Sequence, residues 1–256
     1  MDDFSDKPIT AALIIVGNEI LSGRTQDTNL NHLATKLGQI GVRLVEARVI
    51  PDVAETITAT VREMAGRVDY LFTTGGIGPT HDDITADCVA AAFDRPINVD
   101  PEARALLEAH YANSEHELNE ARLRMARIPD GARLIDNPVS AAPGFQLENV
   151  YVMAGVPRIM AAMLDGVIPT LKGGRRIESI SVACDLPEGQ LAHELGAIAK
   201  AYPDLDIGSY PKYGSGGFQV TVVLRGDEAD KLEVAAGEVE EMIRNLGATP
   251  CRLAPD

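Results

Sequence analysis

Two hydrophobic periodicities alternate along the first part of the chain. The continuous apolar run Ala-Ala-Leu-Ile-Ile-Val at residues 11–16 predicts a strand that is buried on both faces. Further strands are predicted at residues 43–50 and 68–74. Intervening helices are predicted at residues 27–40, 53–65 and 85–93. This alternation is typical of a parallel sheet with helices on both faces.

The pattern then becomes less regular. A charged helical insertion is predicted at residues 101–128, and further strands at residues 133–135 and 149–153. The turn Gly-Val-Pro at residues 155–157 opens a helix that we expect to reach about residue 167.

A polar break, Lys-Gly-Gly-Arg-Arg at residues 172–176, precedes a second region. Strand, helix, strand, strand and helix are predicted there at residues 177–184, 187–201, 207–212, 218–224 and 228–246. The predicted fold class is therefore α/β, a three-layer, mostly parallel sheet, with a second, small α+β domain. The predicted domains are residues 1–171 and residues 172–256.

The chain is strongly acidic, with 23 Lys and Arg against 38 Asp and Glu and a formal net charge of −15. Such a surface repels nucleic-acid backbones and anionic membranes, so we expect neither as a partner. Three cysteines without metal-binding spacing, and an N-terminus without a signal-peptide pattern, favour a cytoplasmic location. A small anionic ligand is compatible with this charge, because backbone N–H groups can bind it locally.

A glycine-rich segment, Thr-Thr-Gly-Gly-Ile-Gly-Pro-Thr-His-Asp-Asp-Ile-Thr at residues 73–85, follows the third predicted strand. Its glycines permit positive φ, so that successive N–H groups and the next helix N-terminus can bind phosphate or another oxyanion. Neither a dinucleotide fingerprint nor a P-loop motif is present. The predicted phosphate-binding residues of this segment are Thr74, Gly75, Gly76 and Gly78.

Two aspartates, Asp82 and Asp83, end this segment and allow three interpretations. Acidic residues stabilise the first turn of a helix by about 0.3–1 kcal/mol each. They could also accept hydrogen bonds from ligand N–H groups, or hold a divalent cation against a phosphate. We interpret the neighbouring His81 as a surface turn residue.

Two other loops are candidate parts of the same site. Residues 17–23, Gly-Asn-Glu-Ile-Leu-Ser-Gly, follow the first predicted strand and contribute the candidate ligand-binding residues Gly17, Asn18, Glu19 and Ser22. Residues 137–145, Asn-Pro-Val-Ser-Ala-Ala-Pro-Gly-Phe, contain two φ-fixing prolines and contribute the candidates Pro143 and Gly144. Each loop alone is equally consistent with a structural connection.

A Gly-Ser-Gly-Gly sequence at residues 214–217 matches the GxxG of RNA-binding KH folds. It lies between two predicted strands, whereas the nucleic-acid motif joins helices. We therefore interpret it as a hairpin turn.

These three loops, at this spacing, resemble the molybdopterin-binding domain of the MoaB/Mog superfamily, and within it the CinA (competence/damage-inducible protein A) group. The resemblance covers residues 10 to about 170, and residues 172–256 resemble the KH-like module that follows in CinA. It implies an α/β/α domain that binds molybdopterin or a nucleotide through phosphate, and it implies self-association into a homo-oligomer.

The resemblance also implies roles for single residues. The two aspartates that match the catalytic positions of pterin-handling members are Asp52 and Asp83. In CinA-like relatives the domain is linked to metal-dependent hydrolysis of the pyrophosphate in ADP-ribose. For this activity we expect Asp82 and Asp83, with Glu19 or Asp27, to hold Mg²⁺, Mn²⁺ or Co²⁺.

Three departures from the family pattern leave catalysis open. Ser140-Ala141-Ala142 replaces a loop that carries a threonine in relatives, and Ile159 stands where an acid is common. A chain that stops at Asp256 is expected to lack the nicotinamide mononucleotide deamidase domain of full-length CinA. Three functions therefore stay open: nucleotide pyrophosphatase, molybdopterin-binding protein, and non-catalytic regulatory protein.

Overall fold

The computed structural model describes residues 8–112, 114, 116–214 and 217–254. The chain forms two compact units, Met1–Gly174 and Arg175–Asp256, and each is described here by itself. The unit boundary therefore lies after Gly174, beyond the residue-171 boundary that the sequence suggested.

Residues 172–174 pack closely against the first unit. The N–H of Gly174 donates to the carbonyl of Ile40 at 3.0 Å. A Cβ on Gly173 would lie 2.5 Å from the Ile40 oxygen, and one on Gly174 would lie 2.6 Å from the Gly41 oxygen. Only glycine fits at these two positions, because a Cβ at either one would collide with backbone.

The first part of this unit follows the predicted alternation, whereas the strands Ile97–Val99, Arg127–Pro129 and Gly144–Leu147 were not predicted. The strands are β1 (Ile9–Val16), β2 (Val42–Ile50), β3 (Tyr70–Thr74), β4 (Ile97–Val99), β5 (Arg127–Pro129), β6 (Arg133–Ile135), β7 (Gly144–Leu147) and β8 (Val150–Met153). The helices are α1 (Asn18–Leu21), α2 (Asn29–Gln39), α3 (Ala54–Ala65), α4 (Thr85–Ala92), α5 (Pro101–Tyr111), α6 (Glu120–Leu123) and α7 (Pro157–Val167).

Within the described residues of this unit, six strands form one mixed sheet in the order β2-β1-β3-β8-β7-β6. The first four strands are parallel, while β7 and β6 pair antiparallel. The carboxyl ends of the four parallel strands therefore meet at one edge of the sheet, where ligand sites form in open α/β folds. β4 and β5 form a separate two-stranded ribbon.

The core lies on both faces of this sheet, which explains the continuous apolar run of β1. Successive strand residues point to opposite faces. Leu13 and Ile15 join a core covered by α2 and α7, whereas Ile14 and Val16 join a core covered by α3, α4 and α5. The three-layer, mostly parallel α/β fold is confirmed.

The second unit is a small α+β domain with one core of its own. Its elements are β9 (Glu178–Cys184), α8 (Glu188–Ala201), β10 (Asp206–Gly214), β11 (Gly217–Gly226), α9 (Ala229–Asn245) and β12 (Cys251–Arg252). Its antiparallel sheet has the order β10-β11-β9-β12. Gly214 pairs with Gly217, and residues 215 and 216, which we interpreted from the sequence as part of a hairpin turn, lie outside the described residues. No helix of the described residues is long and apolar enough to cross a membrane.

The single helix predicted for residues 101–128 is wrong, because two helix caps divide it. The Asp100 side chain accepts the N–H of Ala103 at 2.8 Å and starts α5. The Asn119 side chain accepts the N–H of Arg122 at 3.0 Å and starts α6. A capping side chain favours a helix start over a helix interior. The end of the segment pairs with β4 and forms β5.

The side chain of Asn137 organises the loop before β7. It is only 3% exposed, and its Nδ2 donates to Ser140 Oγ at 2.8 Å and to the Ala142 carbonyl at 2.7 Å. Its Oδ1 accepts the N–H groups of Val139 and Ser140 at 3.1 and 3.2 Å. The shape of this loop, including the positive φ of 58° at Ala141, thus depends on one amide as well as on prolines.

An ion-pair network joins β2 to α3. Both terminal nitrogens of Arg48 donate to the Glu63 carboxylate, at 2.7 and 2.6 Å, and Arg48 Nε donates to Glu46 at 2.7 Å. Arg67 adds a hydrogen bond to Glu63 at 2.9 Å. The bidentate bond from Arg48 is the main cause that lowers the pKa of Glu63 to about 2.

Replacement of Glu63 by glutamine should reduce the pH dependence of stability. Because the folded-state pKa of Glu63 is depressed, its contribution is present above the unfolded pKa of about 4.3 and is lost as pH falls towards 2. The melting temperature of Glu63→Gln should therefore lie below that of the wild type at pH 7 and converge with it near pH 2. Glu55→Gln on the same helix is the control and should show a smaller change; equal behaviour of the two variants would contradict the network.

Replacement of Asn137 by alanine should destabilise the first unit by about 1–3 kcal/mol, because the part-buried N–H groups of Val139 and Ser140 and the carbonyl of Ala142 lose their partner. Urea unfolding measures the change. Ser140→Ala is the matched control, since Nδ2 of Asn137 keeps the Ala142 carbonyl there. If Ser140→Ala cost as much as Asn137→Ala, the amide would not be the organising group.

Candidate functional site

An open cleft of about 510 Å³ lies at the carboxyl ends of the parallel strands. Its wall is built from residues that follow β1, β2, β3 and β8, together with the loop before β7. Among the described residues, no lysine, arginine or histidine lines it. Polar residues at its wall include Glu19, Asp52, Thr80, Asp82, Asp83 and Asn137.

The glycine-rich loop after β3 forms the floor of the cleft. Gly75 and Gly76 adopt positive φ of 98° and 69°, as the sequence suggested, but Gly78 does not. A Cβ on Gly75 would lie 2.2 Å from the Val16 oxygen, and one on Gly76 would lie 2.1 Å from Thr85 Oγ1. Gly78 is small for another reason, because a Cβ there would lie 2.6 Å from the Asp83 carboxylate.

Thr85, at the start of α4, holds this loop in place. Its hydroxyl donates to the Gly75 carbonyl at 2.9 Å, and its N–H donates to the Gly76 carbonyl at 2.9 Å. The residue is fully buried. Sequence reasoning did not single out Thr85, although a threonine at the first turn of the helix after a glycine loop is the available signal.

Some N–H groups of the glycine-rich loop are hydrogen-bonded within the fold, and others have no acceptor in the part of the chain that the structure describes. The N–H of Gly75 donates to the Met153 carbonyl at 3.2 Å and is therefore used by the fold. The N–H groups of Gly76, Ile77 and Gly78 have no acceptor among the described residues. Successive free N–H groups of this kind form a nest for an anion.

Carboxylates line the same cleft, and that of Asp83 lies beside the glycine-rich loop, because a Cβ on Gly78 would lie 2.6 Å from it. Asp52 accepts the N–H of Asn18 at 2.8 Å, which fixes it at the end of β2. Asp83 accepts the N–H of Thr80 at 2.8 Å, and the Thr80 hydroxyl lies 2.6 Å from both Asp82 and Asp83. The hydrogen bond from Thr80 is the main cause that lowers the pKa of Asp82, so Asp82 is charged at neutral pH.

Of the predicted site residues in the loop at residues 17–23, one lines the cleft and the others hold neighbouring residues in place or give them room. Glu19 lines the cleft. Asn18 acts through its N–H on Asp52, and the Ser22 hydroxyl donates to the Glu19 carbonyl at 3.2 Å. Gly17 gives room to Glu19, because a Cβ there would lie 2.6 Å from the Glu19 carboxylate.

Three other predicted ligand-binding residues lie outside the cleft wall. Thr74 is 1% exposed at the end of β3. Pro143 borders a smaller neighbouring cavity. Gly144 is the first residue of β7 and pairs with Ile135 of β6. A Cβ on Gly144 would lie 2.2 Å from the Val152 oxygen and 2.5 Å from Met163. Gly144 therefore serves close packing between strand and helix.

The metal expected at Asp82 and Asp83 lacks a complete protein ligand set. Within the described residues, no three His, Cys, Asp or Glu side chains lie close enough together to hold a metal ion. The two aspartates fit an ion such as Mg²⁺ that takes its other ligands from phosphate and water. A cage with Glu19 or Asp27 as third protein ligand is not formed in this part of the chain.

Comparison with known proteins gives two family matches. Residues 12–173 match the family described as a probable molybdopterin binding domain, and residues 176–249 match the family described as the middle domain of FAD synthase. A protein of Archaeoglobus fulgidus is 34% identical over 233 residues, which cover 91% of this chain and 97% of that protein.

CinA proteins are among the relatives. A CinA-like protein of Desulfosudis oleivorans is 34% identical over 77% of this chain and 51% of its own length, so the chain spans about half of that relative. The crystal structure of the protein CinA, of unknown function, from Thermoplasma acidophilum has a TM-score of 0.59 and 33% identity, over 63% of this chain and 96% of that one. The chain therefore belongs to the MoaB/Mog family of probable molybdopterin binding domains, within its CinA-like branch.

Proposed function

We propose that the cleft binds a phosphorylated pterin, molybdopterin or a closely related ligand. The observation that carries this proposal is the row of N–H donors at Gly76, Ile77 and Gly78, which have no acceptor among the described residues. Such a row fits the oxygens of a phosphate group, and the dipole of α4 adds to its attraction.

The carboxylate of Asp52 in the same cleft suits the other end of such a ligand. A pterin carries N–H donors, and Asp52, which is fixed by Asn18, offers a carboxylate acceptor within the same cleft. Hydrogen bonds to charged acceptors contribute about 1.5–3 kcal/mol each. A ligand with phosphate at one end and N–H groups at the other can therefore bond both the backbone N–H donors and the carboxylate of this site.

A second candidate is hydrolysis of a nucleotide pyrophosphate such as ADP-ribose. The pairing of Asp82 and Asp83 beside the glycine-rich loop supports it. These two residues would hold Mg²⁺, Mn²⁺ or Co²⁺, which supplies a Lewis acid for phosphoryl transfer when bound. The chain's own part is to orient the phosphate on the loop and to position both carboxylates beside it.

Ile159 favours binding without hydrolysis. It lines the cleft at the start of α7, where the family resemblance places an acid. An apolar side chain can neither hold a cation nor accept a proton from water. Self-association, a cytoplasmic location and the absence of nucleic-acid binding remain predictions.

Replacement of Gly76 by alanine should weaken molybdopterin binding about tenfold or more, because the methyl group would displace Thr85 and the donor row. Fluorescence titration of the purified protein measures the affinity. Gly66→Ala is the control, since a Cβ there meets no atom within 4 Å. If Gly76→Ala does not fold, Gly78→Ala replaces it; wild-type affinity in the folded variant would contradict the proposed phosphate site.

Asp83→Asn separates the two candidate functions. If the cleft hydrolyses ADP-ribose, AMP release should require a divalent cation and should fall sharply in Asp83→Asn, because one of the two carboxylates is lost. Chromatographic detection of AMP measures the rate. No AMP release by the wild type with Mg²⁺, Mn²⁺ or Co²⁺ would exclude the hydrolase and leave pterin binding.

A further inference from the structure

Arg124 has a buried donor without a partner. It lies in the 3-10 turn Arg124–Ala126 that follows α6, and its Nε has no hydrogen-bond acceptor among the described residues. Its neighbour Arg127 is paired with Asp87, because its two terminal nitrogens contact the two Asp87 oxygens at 2.9 and 2.6 Å. A buried charged donor without an acceptor costs stability, so an unpaired one in this position requires an explanation.

Arg124 also lines a small cavity of about 20 Å³ beside the glycine-rich loop. Arg124 lines it together with Gly76, Ile77, Gly78 and Asp83, which also line the main cleft. A cavity of this volume accommodates about one water-sized group, such as a single oxygen atom. Arg124 thus shares this cavity wall with the loop residues whose N–H groups are available.

We propose that Arg124 contributes the positive charge of an anion subsite, in which one oxygen of a terminal phosphate group enters the small cavity. This inference rests on the proposed function and names the ligand's charged group. The oxygen would accept from Arg124 while the remaining oxygens accept from the glycine-rich loop. The guanidinium also offsets the negative charge of Asp83 at the cavity wall.

The chemistry selects a phosphate with unesterified oxygens. A terminal phosphate monoester presents three such oxygens and up to two negative charges, enough for both the loop and Arg124. A neutral ligand presents neither. The subsite therefore discriminates a phosphorylated ligand from its dephosphorylated form.

Titration with inorganic phosphate, AMP and adenosine tests the subsite. Arg124→Met, which keeps the length of the side chain, should bind phosphate and AMP about tenfold or more weakly than the wild type. Arg124→Lys keeps the charge and should recover part of the loss. Arg133→Met, an exposed residue on β6 outside the cavity, is the matched control for net charge and should bind as the wild type does. Urea unfolding without phosphate checks that the variants are folded.

Four results would overturn the proposal. These are no binding of millimolar phosphate or AMP by the wild type, equal binding by Arg124→Met, an equal loss in Arg133→Met, and binding of adenosine as tight as that of AMP. If Arg124→Met does not fold, Arg124→Lys alone should still bind phosphate more weakly, because lysine lacks the Nε donor. The molybdopterin titration of Gly76→Ala is independent of Arg124, so the subsite and the proposed function can fail separately.

Discussion

The contact between Thr85 and the glycine-rich loop determines the geometry of the rest of the site. Two bonds from one buried residue fix the carbonyls of Gly75 and Gly76 towards α4. The next N–H groups, of residues that line the cleft, have no acceptor among the described residues. The contact needs glycine at position 76, because any Cβ would occupy the place of the hydroxyl. One side chain and one missing side chain therefore create the anion nest.

The acidity of the protein restricts the kind of ligand that this cleft can bind. With a net charge of −15, long-range electrostatics oppose an anionic ligand. Neutral backbone donors add local attraction without requiring a lysine or arginine in the cleft wall. The carboxylates Asp52, Asp82 and Asp83 line the same cleft and weaken its attraction for a simple anion. Such a cleft favours a ligand with separate acidic and N–H-bearing ends over a free phosphate ion.

Much of the fold follows from local sequence, because buried parallel strands are continuous apolar runs and amphipathic helices lie between them. The glycine-rich loop was also predictable, since it follows a strand. The hydrogen-bond partners of single side chains were not predictable from the sequence. Thr85 and Asn137 bond residues up to ten positions away, and composition does not reveal such bonds. Gly144 was selected as a ligand residue but packs against Val152, because a glycine required for close packing looks the same in the sequence.

The paired glycines at 173 and 174 have a practical consequence for fragment design. A Gly-Gly pair between domains is usually treated as a flexible spacer that tolerates substitution or trimming. Here both residues lie against backbone oxygens of Ile40 and Gly41, so their small size serves close contact. An expression fragment that ended at residue 171 would expose the backbone of Ile40 and Gly41. A fusion that replaced the two glycines with bulkier spacer residues would push the spacer away from that backbone. Cuts and insertions belong after Gly174.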